Sequence, residues 1–182
     1  ENDGNGDKSG HVRIYRWADD SWNQLGSDID GEAAGDHSGY SVSLSADGST
    51  AAVGAYENDG NGDKSGHVRI YRWADGSWKQ LGSDIDGEAA GDFSENVSLS
   101  ADGSTVAIGA RLNDGNGENS GHVRIYRWTD GSWNQLGSDI DGKAAGDQSG
   151  YNVSLSADGS TVAIGAPNND GDQANSGHVR IY

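Results

Sequence analysis

The sequence predicts an all-β array of four-stranded antiparallel units, and three observations carry that prediction. The string HVRIYRW stands at 11–17, 67–73 and 122–128, with HVRIY at 178–182, so the chain repeats at steps of 56, 55 and 56 residues. Within each repeat, apolar residues gather into short strings that alternate with polar ones at the period of a strand. Asp-Gly pairs divide those strings where a tight hairpin needs positive φ. A period in the fifties denotes a supersecondary unit in tandem, each copy burying its faces on its neighbours.

Each repeat resolves into four strands. Strand c, 11–17, places Val12 and Ile14 on one face and Arg13, Tyr15 and Trp17 on the other, so both faces offer bulk to bury. Strand d, 22–26, follows a two-residue turn (Asp19-Asp20 here, Asp75-Gly76 in the next repeat), which sets Trp17 opposite Trp22, Trp73 opposite Trp78 and Trp128 opposite Trp133. Strand a, 40–45, alternates Val42 and Leu44 with serines. Strand b, 50–55, is rich in small residues that suit a crowded place near an axis, and Asp47-Gly48 reads as another two-residue turn with both residues at positive φ.

One array spans 1–182, divided into a c–d piece at 10–27, blades at 39–83 and 94–138, and a partial blade at 149–182. The short step arises where residues 92–97 advance by five and the equivalent 36–42 and 147–153 advance by six. Sheets with two bulky faces are expected to fan about a centre as β-propeller blades, the alternative being a straight β-repeat stack or fibre. About three and a quarter units do not close a ring of the usual four to eight blades. The expectation is therefore a partial ring, or one completed by further chains or by the rest of a longer chain.

Composition removes several function classes. With 29 acidic against 12 basic residues the formal net charge is −17, and the few arginines are scattered rather than clustered, which excludes nucleic acid as an expected partner. Apolar runs reach only about five residues, as at 106–110, too few for a bilayer-crossing helix, so no membrane insertion is expected. The absence of cysteine excludes disulfides, thiolate metal sites and thiol nucleophiles. Val, Ile, Leu and Phe total only 27 of 182 residues, as in disordered chains, yet their alternating strings and 13 Trp and Tyr argue for a fold.

In a meander the a–b and c–d turns lie at one end and the b–c and d–a connections at the other, and those connections hold 21 of the 29 acidic residues. The b–c loops read DGNGD from Asp3 and Asp59, DGNGE from Asp114, and a shortened DGD from Asp170. Oxygen side chains at alternate positions, separated by glycines, are suited to wrapping a hard cation. Calcium is the expected cofactor, with Asp3, Asn5, Asp7, Asp59, Asn61, Asp63, Asp114, Asn116, Glu118, Asp170 and Asp172 as ligands, supplemented by Asp28, Asp30 or Asp36. The same residue types also simply make soluble turns. No bidentate glutamate closes the first loop in the EF-hand manner, since Ile14 occupies that place.

Residues 39–43 (GYSVS) followed by Val53-Gly54-Ala55, and residues 150–154 followed by Ile164-Gly165-Ala166-Pro167 and Gly177-His178-Val179, resemble the FG-GAP repeat. That is the blade motif of integrin α-subunit heads and of many bacterial secreted or surface proteins. The resemblance implies four-stranded propeller blades, an extracellular or cell-surface location, adhesion or ligand binding, and often calcium in the blade loops. Here the motif's Phe is replaced by Ser38, Ser94 and Ser149. The family's calcium loop, between the first two blade strands, is only the turn 46–49, so calcium in the b–c loops rests on their own sequence.

The expected function is that of a non-enzymatic, calcium-stabilised extracellular repeat protein in adhesion or as a surface or filament scaffold. Expected partners are other copies joined through incomplete blades, the rest of a longer chain, or an extracellular protein or glycan. Alternatives are a lectin-like propeller stacking sugars on Trp22, Trp78 or Trp133, and a purely structural fibre. No catalytic residue is expected. His11, His67, His122 and His178 recur once per repeat and read as structural hydrogen-bonding groups; His37 has no nucleophile arranged beside it; and DGNGDKSG lacks the ending of a phosphate loop.

Overall fold

The computed structural model describes residues 4–171 and 176–182, and its regular structure is entirely strand. The first unit holds β1 (His11–Val12), β2 (Tyr15–Ala18), β3 (Ser21–Gln24) and β4 (Ile29–Asp30). The second holds β5 (Ser41–Leu44), β6 (Thr50–Ala55), β7 (His67–Ala74), β8 (Ser77–Gln80) and β9 (Ile85–Asp86). The third repeats it with β10 (Ser94–Leu99), β11 (Thr105–Ala110), β12 (His122–Thr129), β13 (Ser132–Gln135) and β14 (Ile140–Asp141). The fourth has β15 (Asn152–Leu155), β16 (Val162–Ala166) and β17 (His178–Ile181). Each complete unit is an antiparallel sheet in the order a, b, c, d, the meander that its hairpin signals demand.

Identical sequence takes two forms according to its neighbours. In the second unit HVRIYRWA is one eight-residue strand, paired on both sides. In the first unit the same string breaks into β1 and β2, because among the described residues no strand b lies beside Arg13 to pair with it, although Ile14 O still accepts from Leu25 N–H at 2.8 Å. Strand d, conversely, is longer than its string. After β8 the pairing lapses and then resumes as β9, with Ile85 opposite Val68 and Asp86 opposite His67. Two residues are too few for a periodic signal, so this strand was hidden in what reads as a loop.

The c–d turns match expectation: Asp75 and Gly76 have φ of 50° and 76°, and the three tryptophan pairs sit with ring centroids 5.4–5.5 Å apart. The a–b turn is a correction. Only Gly48 is at positive φ; the loop has four residues, and Ser45 N–H donates to Thr50 O across its neck at 2.9 Å. Asp47 acts instead through its carboxylate, accepting from Ser45 Oγ at 2.7 Å, Ser49 N at 2.9 Å and Ser49 Oγ at 2.8 Å. Asp158 repeats this turn. Led by the serine hydroxyl, these bonds hold the Asp47 and Asp158 carboxyls down to about 2. Folding lowers these pKa values, so the stabilisation is complete above the unfolded value of about 3.9 and is lost as pH falls through about 2. An NMR titration of the two carboxyls is expected to give midpoints near 2; midpoints near 4 would contradict the turn.

Blades pack face to face, chiefly through strand a of the following blade: β10 lies against β5 and β6 and also meets β7. The serines alternating along strand a are polar rungs of this seam. Ser41 Oγ and Ser43 Oγ accept the N–H groups of Val97 and Leu99 at 3.2 and 3.0 Å, and Ser98 Oγ accepts that of Leu155 at 2.9 Å. At the turn end, Ala46 N–H donates to Ala101 O and Ala101 N–H to Ala157 O, both at 2.8 Å. Strand b is crowded by the next blade: a Cβ on Gly54 would lie 2.1 Å from Glu95 O, and one on Gly109 2.1 Å from Gly150 O. Val68, Ile70, Val106 and Ile108, at most 1% exposed, form the centre of this packing.

The connections gather at the opposite rim. Asp36, buried in the first d–a connection, accepts from Asn58 of the next b–c loop, and Asp92–Asn113 and Asp147–Asn169 repeat the contact at 3.0 and 2.9 Å.

Candidate functional site

The residues expected to hold calcium lie on this rim, apart from Asp3 and Asp172, which fall outside the described residues. Asn5, Asn61 and Asn116 use their amides as donors, to Gly31 O (2.7 Å), Gly87 O (2.9 Å) and Gly142 O (2.8 Å), tying each b–c loop to the following d–a connection. Asp59 and Asp114 each spend one oxygen on a backbone N–H within the loop, Lys64 at 2.8 Å and Asn119 at 2.7 Å. Asp7, Asp63, Glu118 and Asp170 are exposed. The loops are therefore closed by protein hydrogen bonds, leaving exposed carboxylates on their outer side. Of the supplementary acids, Asp36 is committed to Ala33 N–H and Asn58, Asp28 to Arg13 and Gln24, and Asp30 pairs in β4.

Two of the three tryptophans offered for stacking belong to the seams. Trp78 Nε1–H donates to Leu25 O and Trp133 Nε1–H to Leu81 O, each at 2.8 Å, so both indoles wedge between blades. Trp22, with no preceding blade in this chain, is 66% exposed.

A second feature of the rim was invisible to motif reading. Tyr40 meets Tyr56 with centroids 4.6 Å apart, His37 meets Tyr56 at 5.0 Å, and Tyr56 stacks on Phe93 at 5.7 Å. The Arg111 guanidinium continues the row, 5.4 Å from the Phe93 ring and 5.8 Å from that of Tyr151. Beneath it lies Glu95, 1% exposed and paired to Arg111 at 3.1 Å. Burial pushes this carboxyl up, with Arg111 opposing. The ladder crosses two blade boundaries, and its inner members stand where the repeats differ: His37, Phe93 and Gln148 share one position, Tyr56, Arg111 and Pro167 another, while Tyr40 and Tyr151 are equivalent. The legible signal was that difference between otherwise near-identical repeats.

The strand c histidines correct an expectation. His67 and His122 are 3% and 1% exposed, and the Nδ1 of each makes no hydrogen bond. Both face carboxylates: Glu32, His67 and Asp84 form one group and Glu88, His122 and Asp139 another, each with ligand atoms within 4.8 Å of one another. Desolvation pushes both imidazoles down, favouring their neutral forms. Glutamate comes from one blade's d–a connection, histidine and aspartate from the next blade, at a register fixed by the repeat.

The FG-GAP repeat model matches residues 29–71 and 140–182. No match is found among curated proteins. Among solved structures, a putative 6-phosphogluconolactonase from Bacteroides uniformis is similar with a TM-score of 0.62 at 14% identity, over 96% of this chain and 44% of that one. The periplasmic gluconolactonase PpgL of Pseudomonas aeruginosa gives 0.56 at 18% identity, over 87% and 44%. A putative 6-phosphogluconolactonase from Bacteroides fragilis gives 0.50 at 16%, over 75% and 34%. These likenesses show the fold, and the chain spans less than half the length of each. They also correct the expectation that the array is not an enzyme, since structures named as lactonases share its architecture. A propeller needs its reacting groups in one place only, so residues repeated in every blade do not decide against catalysis.

Proposed function

Carrying FG-GAP repeats in propeller blades, the chain is, we propose, an extracellular adhesion module that recognises a surface protein or glycan on its loop rim, with calcium held by the exposed carboxylates of the b–c loops. The observation that carries this reading is the ladder from Tyr40 to Tyr151: the framework is nearly constant from repeat to repeat, while the rings and charges on this rim change. Its outer members, Tyr40 and Tyr151, are 59% and 42% exposed and offer ring faces to a partner.

Binding of the purified chain to immobilised matrix proteins and cell-surface glycans tests this. Tyr40→Ala combined with Tyr151→Ala is expected to weaken binding at least tenfold, whereas Asn134→Ala, on an exposed outer strand, leaves it unchanged. Equal binding by both variants would sink the proposal. Loop calcium of the affinity usual for extracellular modules, about 10⁻⁴ to 10⁻³ M, is expected to raise the melting temperature by several degrees over EDTA. An unchanged melting curve removes calcium from the reading but leaves the rim.

A further inference from the structure

We propose that Glu88, His122 and Asp139 form a site for one divalent transition-metal ion, of the zinc type, across the seam between the second and third blades. His122 Nδ1 lies 3.8 Å from Glu88 Oε2 and 4.0 Å from Asp139 Oδ2. A tetrahedral ion with bonds of about 2.0–2.2 Å holds its ligand atoms about 3.4 Å apart, so the two contacts of His122 need to close by roughly half an ångström, and the two carboxylates, within 4.8 Å of one another, by no more than about 1.4 Å. Glu88, 41% exposed at its side chain, has room to make that movement. The observation independent of the acidic cluster is the imidazole itself: it is 1% exposed and neither ring nitrogen has a hydrogen-bond partner. One imidazole with two carboxylates suits zinc and its first-row neighbours better than calcium, which takes oxygen ligands. This site is separate from the calcium proposed for the loops.

The equivalent positions in the other seams act as internal controls. In the first, Arg69 donates to Asp84 through Nε at 3.1 Å and Nη2 at 3.0 Å and also contacts Glu32, so one guanidinium occupies both carboxylates. In the second, Arg124 Nη2 donates to Asp86 O at 2.8 Å and Nη1 makes only a loose ion pair with Glu88 at 3.6 Å, so no guanidinium hydrogen-bonds to either carboxylate. The positive charge of Arg124 still reaches His122, opposed by the negative charges of Asp139, Glu88 and, most weakly, Asp92. In the third, Lys143 replaces the glutamate. A single site is therefore expected. The bound ion would join the d–a connection of one blade to strands c and d of the next and lock their seam.

Calorimetric titration of the EDTA-treated full chain with zinc, in excess calcium, is expected to show one saturable equivalent. Glu88→Gln and Asp139→Asn are each expected to lower its affinity at least tenfold, while Glu118→Gln in an acidic loop leaves it unchanged. Cobalt(II) is expected to give tetrahedral visible bands that the first two variants lose. If either variant unfolds, the ¹⁵N shift of the His122 ring on zinc addition to the unmodified chain decides. No saturable binding, affinity unmoved in Glu88→Gln and Asp139→Asn, an equal loss in Glu118→Gln, or an unmoved His122 ring would each overturn the site.

Discussion

Gly109→Ala is expected to cost about 3 kcal/mol and lower the melting temperature by roughly 6–12 °C, while Gly165→Ala is neutral or stabilises by about 0.5 kcal/mol. Both glycines stand in the same IGA string of strand b. The difference is the neighbouring blade. A Cβ at 109 would lie 2.1 Å from the carbonyl oxygen of Gly150, and backbone cannot rotate aside as a side chain does. At 165 no further blade follows within this chain, and the nearest atom to an added Cβ is Asn152 O at 3.6 Å, an ordinary contact. Paired thermal melts of the two variants decide the matter, and equal effects would refute the seam.

Removing Arg111 should be similarly damaging at neutral pH. Arg111→Ala leaves Glu95 buried without its counter-charge, a loss of about 3–5 kcal/mol. The sign of the pH dependence follows from the raised Glu95 pKa. A carboxyl that folding pushes up costs nothing below its unfolded value of about 4.3, and it destabilises increasingly as pH rises through the folded value. The defect of Arg111→Ala should therefore shrink in urea unfolding at pH 4 relative to pH 7. Adding Glu95→Gln should recover most of the loss at pH 7. A defect independent of pH would mean that Arg111 acts only through its ring contacts.

Local pattern explains how much of this was legible. The hairpin at Asp75-Gly76 and the facing tryptophans follow from residues adjacent in sequence, and periodicity two reveals β6 and β7 because each is long enough to show it. The strand β9 escaped notice because Ile85 and Asp86 are a string of two whose pairing is decided by β7. The turn at Asp47 was misjudged because Asp-Gly serves both a two-residue hairpin and a four-residue loop, and here the side-chain bonds to Ser45 and Ser49 decide. Sites made across blades were the least legible. Glu88 and His122 are 34 positions apart, and only the stacking of one blade on the next brings them together. His122 read as a structural residue because Glu88, the carboxylate that faces it across the seam, belongs to another repeat.

Successive sheets fan about a common centre, and spin labels can measure this arrangement, since the chain has no cysteine of its own. Nitroxides attached to cysteines at Asn23, Lys79 and Asn134 would sit at equivalent exposed positions on the outer strands β3, β8 and β13. Electron–electron dipolar distances are predicted to place Lys79 and Asn134 much farther apart than the inner turns at Ala46 and Ala101, whose backbones are hydrogen-bonded at 2.8 Å. The Asn23–Asn134 distance is predicted to be shorter than the sum of its two steps. Inner and outer spacings that are equal, with steps that add along a line, would show a straight stack and contradict the propeller.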